Sequence, residues 1–146
     1  MDASYITAFI SSIENVFSTM LQMPVTVEPP SLKDTSKPAH DVSAIIGLSG
    51  DVEGSVVLCF PTSTAESCIS LFIGEEVHAD HADFADAVGE LCNMIAGGAK
   101  GQFEGKSVSI SVPSVVIGQG HSVRQKKDLP VIEIPCSCDS GTFSVD

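Results

Sequence analysis

The sequence predicts an α/β protein of the α+β type, a mixed or antiparallel sheet packed against long helices. Three observations predict it. Residues Tyr5 to Gln22 place Ile6, Phe9, Ile10, Ile13, Val16 and Phe17 at i, i+3, i+4, i+7 spacing, the pattern of one helix face. A second such pattern begins at Phe84. Between and after these helical stretches lie runs rich in valine and isoleucine, bounded by glycine, proline and small polar residues, which read as strands. With 146 residues, 43% of them apolar, and a positive mean hydropathy, the chain is expected to be one domain, 1–146, with a substantial core.

The elements follow in order. The first helix is ended by Pro24, which lacks the N–H a helix interior needs. A short extended stretch, Val25-Thr-Val27, precedes a proline-rich surface connection from Glu28 to His40. Val42 to Leu48 and Ser55 to Phe60 form a predicted hairpin across Ser49-Gly50-Asp51-Val52-Glu53-Gly54. Thr62-Ser63 then opens a second helix, with Ser63 and Glu66 at capping-box spacing and Gly74 as its stop. An acidic, histidine-containing linker, Glu75 to His81, leads to the third helix, which runs to about Gln102. Three β-rich runs close the chain: Val108 to Val112 extended to Ile117, Val131 to Ile134, and Thr142 to Val145.

The third helix holds the most informative residues. Asp86, Glu90 and Asn93 are four and three residues apart; at roughly 100° per residue they share one face, and Phe84, Val88, Leu91, Ile95 and Ala99 share the opposite one. A carboxylate only accepts hydrogen bonds, whereas a carboxamide both donates and accepts, so a Glu and an Asn one turn apart can hold a cation and orient a water. The same spacing also describes the solvated face of an ordinary amphipathic helix. Gly97 falls on the Glu90/Asn93 face. There an absent side chain would let a partner or another backbone come close; alternatively Gly97 and Gly98 end the helix early.

Composition excludes several functions. Nineteen acidic against seven basic residues, a formal charge of −12, oppose binding to nucleic acid or an anionic membrane. No apolar run approaches the ~20 residues of a membrane span, and Met1-Asp-Ala-Ser-Tyr5 lacks the features of a signal peptide, so the chain is expected in the cytoplasm. Five cysteines, Cys59, Cys68, Cys92, Cys136 and Cys138, are odd in number and scattered, which predicts reduced thiols and no disulfide framework. Cys136-Ser-Cys138 has no second pair and the four histidines are dispersed, so no metal site is expected. Basic character gathers only in Gly118 to Leu129, where His121, Arg124, Lys126 and Lys127 mark a polar loop that either attracts an acidic partner or keeps an edge soluble.

Taken with its context, Asp86-x-x-x-Glu90-x-x-Asn93 followed by Gly97-Gly98 resembles the signature of the CheC/CheX/FliY phosphatases of bacterial chemotaxis. Phe60-Pro61, Ser109-Ile-Ser-Val-Pro113, Gly118-Gln-Gly120, and Pro135-Cys136 with Gly141-Thr-Phe143 look like the CheX branch, so the resemblance spans nearly the whole chain. It implies a CheC-like fold and hydrolysis of the aspartyl phosphate of a CheY-like receiver domain. It also implies roles within the motif: Glu90 pairs with the receiver's active-site lysine, Asn93 orients the attacking water, and Asp86, one turn earlier, has a secondary part in binding the partner; Gly97 is expected to help bind the partner through the bare backbone of the same face. Magnesium would come with the receiver, leaving no cofactor on this chain. Only one Glu-x-x-Asn occurs in the sequence, which resembles the single-site CheX form, whose members pair as homodimers through their sheets.

Competing hypotheses remain. The same fold could serve as a non-catalytic receiver-binding or flagellar-switch scaffold; the presence of both Glu90 and Asn93 favours the enzyme. A thiol-redox role for Cys136 and Cys138 would need a lowered thiol pKa, and a strand exit offers no helix N-terminus to lower it.

Overall fold

The computed structural model describes residues 3–32, 40–103, 105–121 and 131–146. In chain order these form α1 (Ala3–Met20), β1 (Val25–Val27), β2 (Ser31–Leu32), β3 (His40–Gly50), β4 (Gly54–Phe60), α2 (Thr62–Ile73), α3 (Phe84–Lys100), β5 (Val108–Ile110), β6 (Ser114–His121), β7 (Ile132–Cys138) and β8 (Gly141–Val145). The sheet order is β1-β7-β8-β4-β3-β5, with β6 also on β3 and β2 on β7. Every strand pair among the described residues is antiparallel. The expected sheet type is narrowed accordingly.

α1 and α3 pack on one another and on this sheet through the faces the periodicity assigns them. From α1, Ile13, Val16 and Phe17 are buried; from α3, Phe84, Val88, Leu91 and Ile95; from β3, Val42, Ala44 and Ile46. Phe17 stacks on Phe143 of β8 with ring centroids 4.8 Å apart, and Phe143 lies 5.3 Å from Phe60 of β4. This aromatic column ties the first helix to the centre of the sheet.

Several details depart from the sequence reading. The Ser63–Glu66 capping box does not form: Pro61 is the N-cap of α2 and makes no side-chain capping hydrogen bond. The Thr62 N–H instead donates to Asp41 Oδ2 at 3.0 Å, and Glu66 Oε2 accepts the Ala79 N–H at 2.8 Å. Glu66 is therefore engaged by the linker, where Ser70 Oγ also accepts the N–H of Val77. Both contacts fix the approach to α3.

The run from Val108 to Ile117 is two strands rather than one. β5 and β6 both pair with β3 and are separated at Ser111-Val112-Pro113, where proline has no N–H for the ladder. β7 extends through Pro135 to Cys138, so Cys136-Ser-Cys138 lies inside a strand and not at its exit. The helix limits also shift by about a turn or less: α1 ends at Met20 and α3 at Lys100. Gly74 ends α2 as expected, with φ 91° and its N–H on Ser70 O. Of the basic loop, Gly118 to His121 belong to β6, and Arg124, Lys126 and Lys127 lie outside the described residues.

Candidate functional site

α3 is presented with one face locked and the other open. Phe84, Val88, Leu91 and Ala99 are each fully buried, and Ile95 is 1% exposed. On the reverse face Asp86 and Glu90 are exposed, while Asn93 and Gly97 are half-buried. The structure thus brings all four sequence-predicted site residues into one stripe along a single rigid helix. A stripe on a rigid helix is positioned better than one on a loop.

No described residue hydrogen-bonds or ion-pairs with the side chains of Asp86, Glu90 or Asn93. Among the described residues, their donors and acceptors are unspent. Asp86 sits in the first turn of α3, where a negative charge is favoured by the N–H groups of the helix start, so part of its role is structural. Glu90 and Asn93 lie beyond that turn and gain nothing comparable.

The glycines behave differently from one another. α3 continues through both. A Cβ on Gly97 would meet nothing within 4 Å, whereas one on Gly98 would strike Ser12 Oγ of α1. The close approach expected near Gly97 is made instead at Gly98, by the Ser12 side chain of α1. Ser12 is buried and donates to Ile95 O at 2.7 Å, which fixes the crossing. Sequence reading missed this contact, because α1 and α3 are 83 positions apart along the chain at this hydrogen bond.

Other chemistry is poorly served. Burial pushes the thiols of Cys68, Cys92 and Cys136 up to about 12, far from the lowered pKa a reactive thiolate needs. Among the described residues, no group of three or more His, Cys, Asp or Glu side chains is arranged to hold a metal ion. Among them, too, no helix is long and apolar enough to cross a membrane.

An open Glu-Asn stripe on a helix backed by an antiparallel sheet is the arrangement the resemblance implies, and the comparisons name the family. The family model for the chemotaxis phosphatase CheX matches residues 42–137. The chain belongs to the CheX family. It is 31% identical over 141 residues to the CheY-P phosphatase CheX of Thermotoga maritima, covering 94% of this chain and 89% of that one. A CheC-like superfamily protein from a Shewanella species superposes with a TM-score of 0.90 at 32% identity, covering 99% of this chain and 96% of the other. The CheX–CheY–BeF3–Mg2+ complex from Borrelia burgdorferi matches with a TM-score of 0.80 at 27% identity, over 97% and 94%. The expected CheC-like fold and CheX branch are both borne out. Within the CheX match, Glu90 and Asn93 fall on the exposed face of α3.

Proposed function

We infer that this chain is a phosphatase that hydrolyses the aspartyl phosphate of a CheY-like receiver domain, using Glu90 and Asn93 from one face of α3. One observation carries the roles: in a CheX-family chain, the two side chains are presented together on a helix anchored by its opposite face, and no described residue uses either of them. The Thermotoga relative is a CheY-P phosphatase, and the Borrelia relative is complexed with CheY.

The chemistry asks for positioning more than for a new nucleophile. Water attacks phosphorus in line, the bond to the aspartyl oxygen breaks, and the receiver carboxylate and inorganic phosphate separate, with the water proton leaving on phosphate. Asn93 can accept a hydrogen bond from that water while donating to a phosphoryl oxygen. Glu90 supplies a carboxylate for the receiver's lysine, a charge-assisted contact that sets the orientation of docking. Magnesium belongs to the receiver substrate. This reading puts the protein in the cytoplasm, and a two-fold homodimer leaves one open motif face on each chain.

A panel of phosphorylated receiver domains, followed for loss of phosphate, tests the reading. Hydrolysis of at least one receiver well above its own decay is expected. Tight binding with no hydrolysis across the panel would replace the enzyme with a scaffold.

A further inference from the structure

Asn93 also borders a groove between α1 and α3, of about 480 Å³. Asn93, Gly97 and Gln102 line one side; Ser11, Asn15 and Thr19 line the other. The last three recur at every fourth position, so they form one stripe along α1, and all three are exposed.

Neither wall carries an ionisable side chain, although the chain as a whole has a formal charge of −12. A phosphorylated receiver brings negative charge to Asn93, and acidic walls would repel it. Thr19 Oγ1 is occupied by Asn15 O at 2.8 Å. The carboxamides of Asn15 and Asn93, by contrast, are hydrogen-bonded to no described residue. Gly97 lies one turn beyond Asn93, with open space where a side chain would be. A domain that reaches Asn93 from the groove side passes over this bare backbone and against α1 beside it.

We propose that α1 supplies the second half of the docking surface. An uncharged polar segment of the receiver, next to its phosphoaspartate, seats in the groove with the Asn15 carboxamide as its hydrogen-bonding partner and the Gly97 backbone as its floor. This contact helps decide which receiver is accepted. The proposal rests on the phosphatase reading for the identity of its occupant.

The test compares Asn15→Ala and Gly97→Leu with the unmutated protein, measuring affinity for a BeF3-loaded receiver together with kcat and KM on the phosphorylated one. Each variant should weaken affinity and raise KM by about tenfold while changing kcat at saturation by less than about threefold. Thermal melts should show neither variant less stable, since Asn15 makes no described side-chain contact by hydrogen bond and a Cβ at Gly97 is unobstructed. Unchanged affinity in both variants, or failure of the unmutated chain to bind any BeF3-loaded receiver, overturns the proposal. Because that binding is measured without turnover, a chain that binds receivers through Asn15 and Gly97 but hydrolyses none would uphold the groove and sink the phosphatase reading alone.

Discussion

Ser12 on α1 donates its hydroxyl proton to the carbonyl oxygen of Ile95 on α3 at 2.7 Å, at a crossing where only a glycine fits opposite, at position 98. This contact sets the distance between the helix that carries Glu90 and Asn93 and the helix that flanks them. Gly98→Ala should be destabilising, because overpacking costs about 1–3 kcal/mol while the better helix propensity of Ala returns at most about 1 kcal/mol. Ser12→Ala should cost about 1 kcal/mol for the lost hydrogen bond. Combined, they should cost less than their sum, since removing the hydroxyl makes room for the new methyl. Urea unfolding of the two single variants and the double variant measures this; strict additivity would mean that the two positions do not touch.

The two faces of α3 should respond oppositely to truncation. Leu91→Ala and Ile95→Ala remove fully or almost fully buried side chains and should cost roughly 2–5 kcal/mol. Glu90→Ala and Asn93→Ala should stay within about 0.5 kcal/mol of the unmutated chain, because neither side chain is engaged by a described residue. Chemical denaturation of the four variants gives the ordering, and a reversed ordering would remove the geometric basis of the site.

Function should separate Asn93 from Glu90. Asn93→Ala is expected to bind a BeF3-loaded receiver nearly as well as the unmutated protein, yet lose on the order of 10²-fold or more in single-turnover hydrolysis, as for other polar groups that act at the transition state. Glu90→Ala should weaken both binding and turnover, since it removes the proposed partner of the receiver's lysine. Hydrolysis by Asn93→Ala at the unmutated rate would refute the water-orienting role.

His78 gives the linker before α3 a pH dependence. Its Nε2 lies 3.0 Å from Glu76 Oε1 and its Nδ1 3.3 Å from Glu66 Oε2, and hydrogen bonding to Glu76, then to Glu66, raises its pKa above 6.5. A histidine with a raised folded pKa contributes stability that is complete below its unfolded pKa and is lost as pH rises through the folded one. The attachment of the linker to α2 should therefore loosen as pH rises above about 6.5. An NMR titration should place the His78 midpoint above 6.5, with Glu76→Gln and Glu66→Gln each lowering it; a midpoint at or below 6.5 would mean the carboxylates do not pair with it in solution.

Assembly can be read from an edge. Among the described residues β6 pairs only with β3, and Val116 and Ile117 on it are 39% and 44% exposed, after Val112 at 85%. An apolar edge strand of this kind is a ready surface for a second copy. Sedimentation at micromolar concentration should show a dimer that Ile117→Lys shifts towards monomer, and a monomer throughout would count against pairing through this edge.

What the sequence determined by itself was set by local chemistry. Spacing of three and four residues is enough to put Asp86, Glu90 and Asn93 on one face and Leu91 and Ile95 on the other, because a helix has a fixed period. The hairpin of β3 and β4 and the stop at Gly74 are likewise short-range, and both were legible. The split of β5 from β6 was signalled by Pro113, a residue with no N–H to give the ladder, yet was masked by the valine and isoleucine on either side. Ser63 and Glu66 had capping-box spacing, but the tertiary structure offered Glu66 the Ala79 N–H instead. Only the fold could bring Ser12 against Gly98, or set Asn15 across a groove from Asn93, because those pairs are distant in sequence and meet solely through the packing of α1 on α3. Helical periodicity specifies which way a side chain points, whereas which helix it then meets depends on how all the buried faces close on one sheet.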